Sequence, residues 1–118
     1  MSLYRLAPSP YTQTEWDTAI EKLTEEIVSR ARPLALFVFG SSLKTERNAE
    51  SDIDLAVVWK SEQDKQQSSK AILSSWPIVE IPVDILFFHL SEFEQSVKSG
   101  GIGDVILRTG KPVYGGLC

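Results

Sequence analysis

Two aspartates two residues apart, Asp52 and Asp54, stand at the start of the apolar run Leu55-Ala-Val-Val58. In a strand, residues i and i+2 project from one face, so this spacing sets two carboxylates side by side. Carboxylates that close repel each other unless a cation lies between them, and hard oxygen donors suit Mg²⁺ or Mn²⁺. A third acid, Asp84, interrupts the otherwise apolar Ile81-Pro-Val-Asp-Ile-Leu-Phe-Phe88. A carboxylate among Ile, Val, Leu and Phe is costly to bury without a partner. Its plainer account is an edge position facing water, which Pro82 favours.

Upstream, the apolar stretch Pro33-Leu-Ala-Leu-Phe-Val-Phe39 stops at Gly40-Ser41. Without a Cβ, Gly40 lets the backbone approach a phosphate closely. The amides of Ser41 and Ser42, at the start of a short helix, would point toward negative charge. The Ser41 hydroxyl would add a hydrogen bond, and Lys44 or Arg47 a cation. Taken singly, an Asp-x-Asp pair or a Gly-Ser turn is an ordinary feature of strand ends. Together with Asp84 they predict a metal–phosphate site, in which carboxylates hold two divalent ions about 3.5–4 Å apart. Asp52 and Asp54 would bridge the ions, and Asp84 would bind the catalytic ion.

These residues need a sheet to bring them together. Trp16, Ile20, Leu23, Ile27 and Ala31 recur at three- and four-residue spacing, predicting a helix from Thr14, capped by Thr12 or Thr14 and stopped by Pro33. Residues 33–39 read as a strand buried on both faces. The link from Ser41 to Ser51 is too short for a crossover helix with its turns, so strands 33–39 and 53–59 are expected antiparallel, with a turn of helix near 41–46. That arrangement brings Gly40-Ser41 and the two aspartates to one sheet edge. Ser61 is expected to cap a helix over residues 62–75, long enough to return a parallel third strand over 78–88. Pro82 marks that strand as an edge or a bulge. Ser91-Glu-Phe-Glu94 predicts a capping box for a helix over 92–98. Gly100, Gly101 and Gly103 form a break, Asp104 to Thr109 a last helix closed by Gly110, and Lys111-Pro-Val-Tyr114 a short strand.

The 118 residues suit one domain, residues 1–118, with 1–12 as an extended N-terminal arm. The 42% hydrophobic and 24% charged content is that of a soluble globular protein. No apolar run reaches the roughly 20 residues of a membrane span and no signal peptide is evident. The single cysteine, Cys118, fits a reducing cytoplasm. A net charge of −4 argues against general nucleic-acid binding but not against a metal-bound nucleotide, whose cation brings its own charge.

Gly40-Ser41, ten intervening residues, then Asp52-Ile-Asp54 resembles the G-S-x10-D-x-D signature of the minimal nucleotidyltransferases of the DNA polymerase beta superfamily. Ser51-Asp-Ile-Asp-Leu55, Val83-Asp-Ile85 and the closing Leu107-Arg-Thr-Gly-Lys-Pro-Val-Tyr114 extend the likeness over roughly residues 14–115. The resemblance implies a mixed α/β nucleotidyltransferase fold, a small mixed sheet packed with helices. It implies an enzyme using Mg²⁺ (two ions, Mn²⁺ as a substitute) to transfer a nucleoside monophosphate, AMP from ATP, to a hydroxyl. Catalysis and metal binding would fall to Asp52, Asp54 and Asp84, and nucleotide binding to Gly40, Ser41, Ser42 and Lys44.

Many members pair with a HEPN-domain toxin as the antitoxin that adenylylates it, so a HEPN-domain protein is the expected partner. Where relatives commonly carry two arginines and a glycine after the Gly-Ser, this chain reads Ser42-Leu-Lys-Thr45. The alternatives are an antitoxin that acts as a binding module, or a transferase for a small molecule or RNA. Larger nucleotidyltransferases add a domain that holds the base and acceptor. Here those parts are expected from another chain, docking at Tyr4, Tyr11, Trp16 and the Gly100–Gly103 segment; a homo-oligomer is also compatible. Trp59 and Trp76 are expected in the core, and His89 either toward solvent or toward the ligand.

Overall fold

The computed structural model describes residues 9–40 and 51–116. Helix α1 (Gln13–Ala31) begins one residue ahead of the expected Thr14, with Thr12 as its cap. The Thr12 hydroxyl accepts from the Glu15 amide, and the Glu15 carboxylate accepts from the Thr12 amide in return. One stripe of the helix, with Trp16, Leu23 and Ile27, is fully buried. Arg32, in the left-handed region at φ 44°, turns the chain into β1 (Ala35–Phe39), and all five β1 residues are buried.

Strand β2 (Ile53–Trp59) pairs antiparallel with β1, as the short link between them requires. Helix α2 (Glu62–Ser74) follows, its Ser61 cap accepting from the Asp64 amide. It returns β3 (Val83–His89) parallel to β2. Then come α3 (Leu90–Lys98), α4 (Ile102–Thr109) and β4 (Lys111–Gly115), which pairs antiparallel with β1. The sheet order is β3-β2-β1-β4, which puts β3 at an edge, in keeping with Pro82 just ahead of it.

Helices cover both faces of the sheet. Leu36, Val38, Leu55 and Val57 face α1 and α2, whereas Phe37, Phe39, Ala56 and Val58 face α3 and α4. Continuous apolar strands are what such two-sided burial demands. Phe93 of α3 anchors the second layer, stacking on Phe37 at 5.7 Å between centroids and meeting Phe88 edge-on at 5.2 Å.

Several expectations are corrected. The third strand begins at Val83 rather than 78, because residues 77–82 are irregular, with bends at 79–81, before the strand forms. The α3 capping box is His89 with Glu92, not Ser91 with Glu94. The strand feeds directly into the helix, and the His89 imidazole accepts from the Glu92 amide. Gly110 closes α4 at φ −82°, outside the left-handed region. A Cβ there would fall 2.5 Å from the Ile106 carbonyl oxygen, so close approach rather than backbone conformation requires glycine. Trp16 is fully buried and offers no docking surface. The Gly100–Gly103 segment is a tight α3–α4 junction in which the Gly103 amide donates to Ser96 Oγ at 2.8 Å. Tyr4 and the expected helical turn at 41–46 lie outside the described residues. Among the described residues no helix is long and apolar enough to cross a membrane.

Candidate metal centre

The position of the acids follows from strand parity. In β2, Ala56 and Val58 face α3 and α4, so Asp54, and Asp52 just ahead of the strand, belong to that face. In β3, Leu86 and Phe88 share the same side, which assigns Asp84 to it as well. Register completes the placement. Asp54 lies opposite Asp84 in the parallel pair and opposite Phe39 in the antiparallel pair. The two-residue offset between Asp52 and Asp54 and the β2–β3 alignment thus converge on one corner of the sheet.

One carboxylate oxygen from each of Asp52, Asp54 and Asp84 lies within 4.8 Å of the others. Two oxygens across one octahedral Mg²⁺ stand about 4.2 Å apart at bonds of about 2.1 Å. Two ions held about 3.5–4 Å apart need a set on a similar scale. An all-oxygen anionic donor set of this spread fits hard divalent cations. Asp52 and Asp54 are partly shielded and Asp84 is exposed, so the cluster opens outward on the edge-strand side. Asp84 is exposed, as the edge account expects, and its carboxylate also stands in the acid cluster.

Gly40 ends the first half of this corner, at φ 64°. An ideal Cβ there would collide with Asp54 Oδ2 and lie 3.1 Å from its Cγ. This contact between the turn and the acid has no signature in the spacing of the sequence, because it depends on how the two strand ends meet. Ser41, Ser42 and Lys44, the other expected nucleotide contacts, lie outside the described residues.

His89 does not belong to the cluster. It is at the far end of β3, about 17 Å along the strand from Asp84 at about 3.3 Å per residue. There, Glu92 Oε1 accepts from Lys65 Nζ at 2.7 Å and from the His89 amide at 3.0 Å, linking α2, β3 and α3. Partial burial raises the Glu92 carboxyl. The hydrogen bonds from Lys65 and the His89 backbone, with the nearby charges, outweigh it and hold the group below its ordinary value. Trp59 is buried, its Nε1 donating to the Ala31 carbonyl at 2.9 Å, and Trp76 packs against the same core. Both are structural.

Solved structures resemble this fold to differing degrees. A Sulfolobus solfataricus protein assigned as a nucleotidyltransferase superposes with a TM-score of 0.52 at 17% identity, covering 87% of this chain and 83% of that one. The MNT antitoxin complex with a tri-AMPylated HEPN toxin from Shewanella oneidensis gives a TM-score of 0.43 at 18% identity, covering 89% and 74%. A mutant MntA–HpeT toxin–antitoxin complex gives 0.48 at 16% identity, covering 86% and 73%. No curated protein matches the sequence significantly. The sequence pattern of the family described as "Polymerase beta, Nucleotidyltransferase" matches residues 21–114, which takes in Gly40, all three acids and all four strands. With that span matched and its acids gathered at one corner, the chain belongs to the polymerase beta nucleotidyltransferase family.

Proposed function

We propose that this chain is a metal-dependent nucleotidyltransferase that moves AMP from ATP to a hydroxyl of a partner protein. The observation that carries this reading is the convergence of Asp52, Asp54 and Asp84 within 4.8 Å in a chain of this family. Asp52 and Asp54 would hold the cations, with Asp84 completing the donor set from the edge strand. When bound, divalent cations offset the charge of the triphosphate and lower the pKa of the attacking hydroxyl.

The chain's own groups then have separate tasks. Gly40, in the left-handed turn beside Asp54, would present its backbone to a phosphate, and Ser41, Ser42 and Lys44 would contact the triphosphate. Asp84, the exposed acid, is reachable by a hydroxyl arriving from another molecule, and its carboxylate oxygen can take the proton which that hydroxyl releases. The acceptor oxygen forms a bond to the α-phosphorus, the bond from that phosphorus to the bridging oxygen breaks, and pyrophosphate leaves. A HEPN-domain protein is the proposed acceptor, a role supported by the likeness of Gly40-Ser41-x10-Asp52-x-Asp54 to the antitoxin nucleotidyltransferases.

The test is incubation with labelled ATP, Mg²⁺ and a co-expressed HEPN-domain protein. Label should appear on that protein with wild type and not with Asp52→Asn. No transfer from wild type to this acceptor, to RNA or to a small-molecule hydroxyl would leave the binding-module alternative. That alternative predicts full neutralisation of the partner by Asp52→Asn/Asp54→Asn.

A further inference from the structure

Among the described residues, the end of β1 meets the acid cluster where Gly40 approaches Asp54. Gly40 directly follows Phe39, which lies opposite Asp54 in the β1–β2 register. The position a Cβ would take on Gly40 is already filled by the Asp54 carboxylate: Oδ2 collides with it and Cγ stands only 3.1 Å away, whereas Asp54 Cβ at 3.5 Å is in ordinary contact. Any side chain at position 40 therefore meets the movable end of Asp54 and not its backbone. The carboxylate, not the strand, has to give way.

We propose that Gly40 is a positioning residue for Asp54. The hydrogen-only face of the glycine is the seat against which the Asp54 carboxylate rests, and it fixes the orientation in which that carboxylate joins Asp52 and Asp84. The end of β1 and the acid of β2 are then set as one unit. A change at the turn reaches the cation ligands before it reaches any phosphate. In its consequence for cation binding this inference rests on the proposed role of the three acids; in its geometry it does not. Losing a group that orients a metal ligand typically costs about 10–100-fold in metal affinity.

Gly40→Ala is the first variant, and two measurements read it. In metal-free protein, the ¹³C signal of the Asp54 side-chain carboxyl should move away from its wild-type position. Without nucleotide, Mn²⁺ affinity by electron paramagnetic resonance should fall roughly 10–100-fold. If position 40 acted only through phosphate, Mn²⁺ affinity and the Asp54 signal would stay at wild-type values and only nucleotide binding would weaken, which overturns the proposal. Should wild type bind no Mn²⁺ at all, the cation reading fails, and the metal-free Asp54 signal still decides the positioning role. Alanine at φ 64° is strained. If that variant does not fold, Gly40→Asn carries the same Cβ on a residue that tolerates the left-handed region and is read the same way.

Discussion

At the residue scale, Asp84 separates the structural cost of the acids from their use. It is exposed, so it is not retained for packing, yet its carboxylate lies within 4.8 Å of two others. Without a cation, that proximity is repulsive. Asp84→Asn should therefore leave the melting temperature in chelator unchanged or slightly higher. With wild type, free Mn²⁺ at about 100 times its dissociation constant should add about 2.7 kcal/mol of stability. Asp84→Asn should lose most of that increment, as thermal melts with and without Mn²⁺ would show. Gly110 illustrates another residue-scale constraint. Its φ of −82° suits any residue, but a Cβ would crowd the carbonyl oxygens of Ile106 at 2.5 Å and Val38 at 3.1 Å. Gly110→Ala should cost about 1–3 kcal/mol in chemical denaturation, as overpacking does.

At the scale of elements, the end of the sheet away from the acids is tied by Glu92, which joins α2 through Lys65 and caps α3 through the His89 amide. Its carboxyl titrates below its ordinary value of 4.5, so the folded state favours the charged form. A depressed folded value means that the stabilisation is fully present above 4.5 and is lost as pH falls through the lower, folded value. Glu92→Gln should flatten that acid limb of the stability curve. With 38% of the side chain exposed, the difference above pH 5 should stay under about 1 kcal/mol. The α3 capping box departs from the sequence expectation at this same junction. Ser91 with Glu94 has the better consensus, but β3 runs straight into α3, and the junction selected the imidazole of His89 instead.

For the whole molecule, the site is only as fixed as the sheet, and the sheet is held between two helical layers. Phe93 is the fully buried contact of α3 with both β1 and β3, through Phe37 and Phe88. These strands bring Gly40 and Asp84 to the corner. Phe93→Ala should cost about 3–5 kcal/mol. It should also weaken Mn²⁺ binding although no ligand is touched, measurable by denaturation and metal titration on the same sample.

The sequence by itself determined which residues could do the chemistry and the order of the elements that carry them. Asp52 and Asp54 share a face because strands alternate, and the Ser41–Ser51 link is too short for anything but an antiparallel return. Tertiary structure alone decided the rest. Alignment of Asp54 with Asp84 depends on where β3 begins to pair, five residues later than its apolar composition suggests. The burial of Trp16 depends on which helix face meets the sheet, and the seating of Asp54 on Gly40 on how two strand ends approach. Local pattern encodes periodicity and connection length; register and close approach arise only when separate segments pack, and no single segment records them.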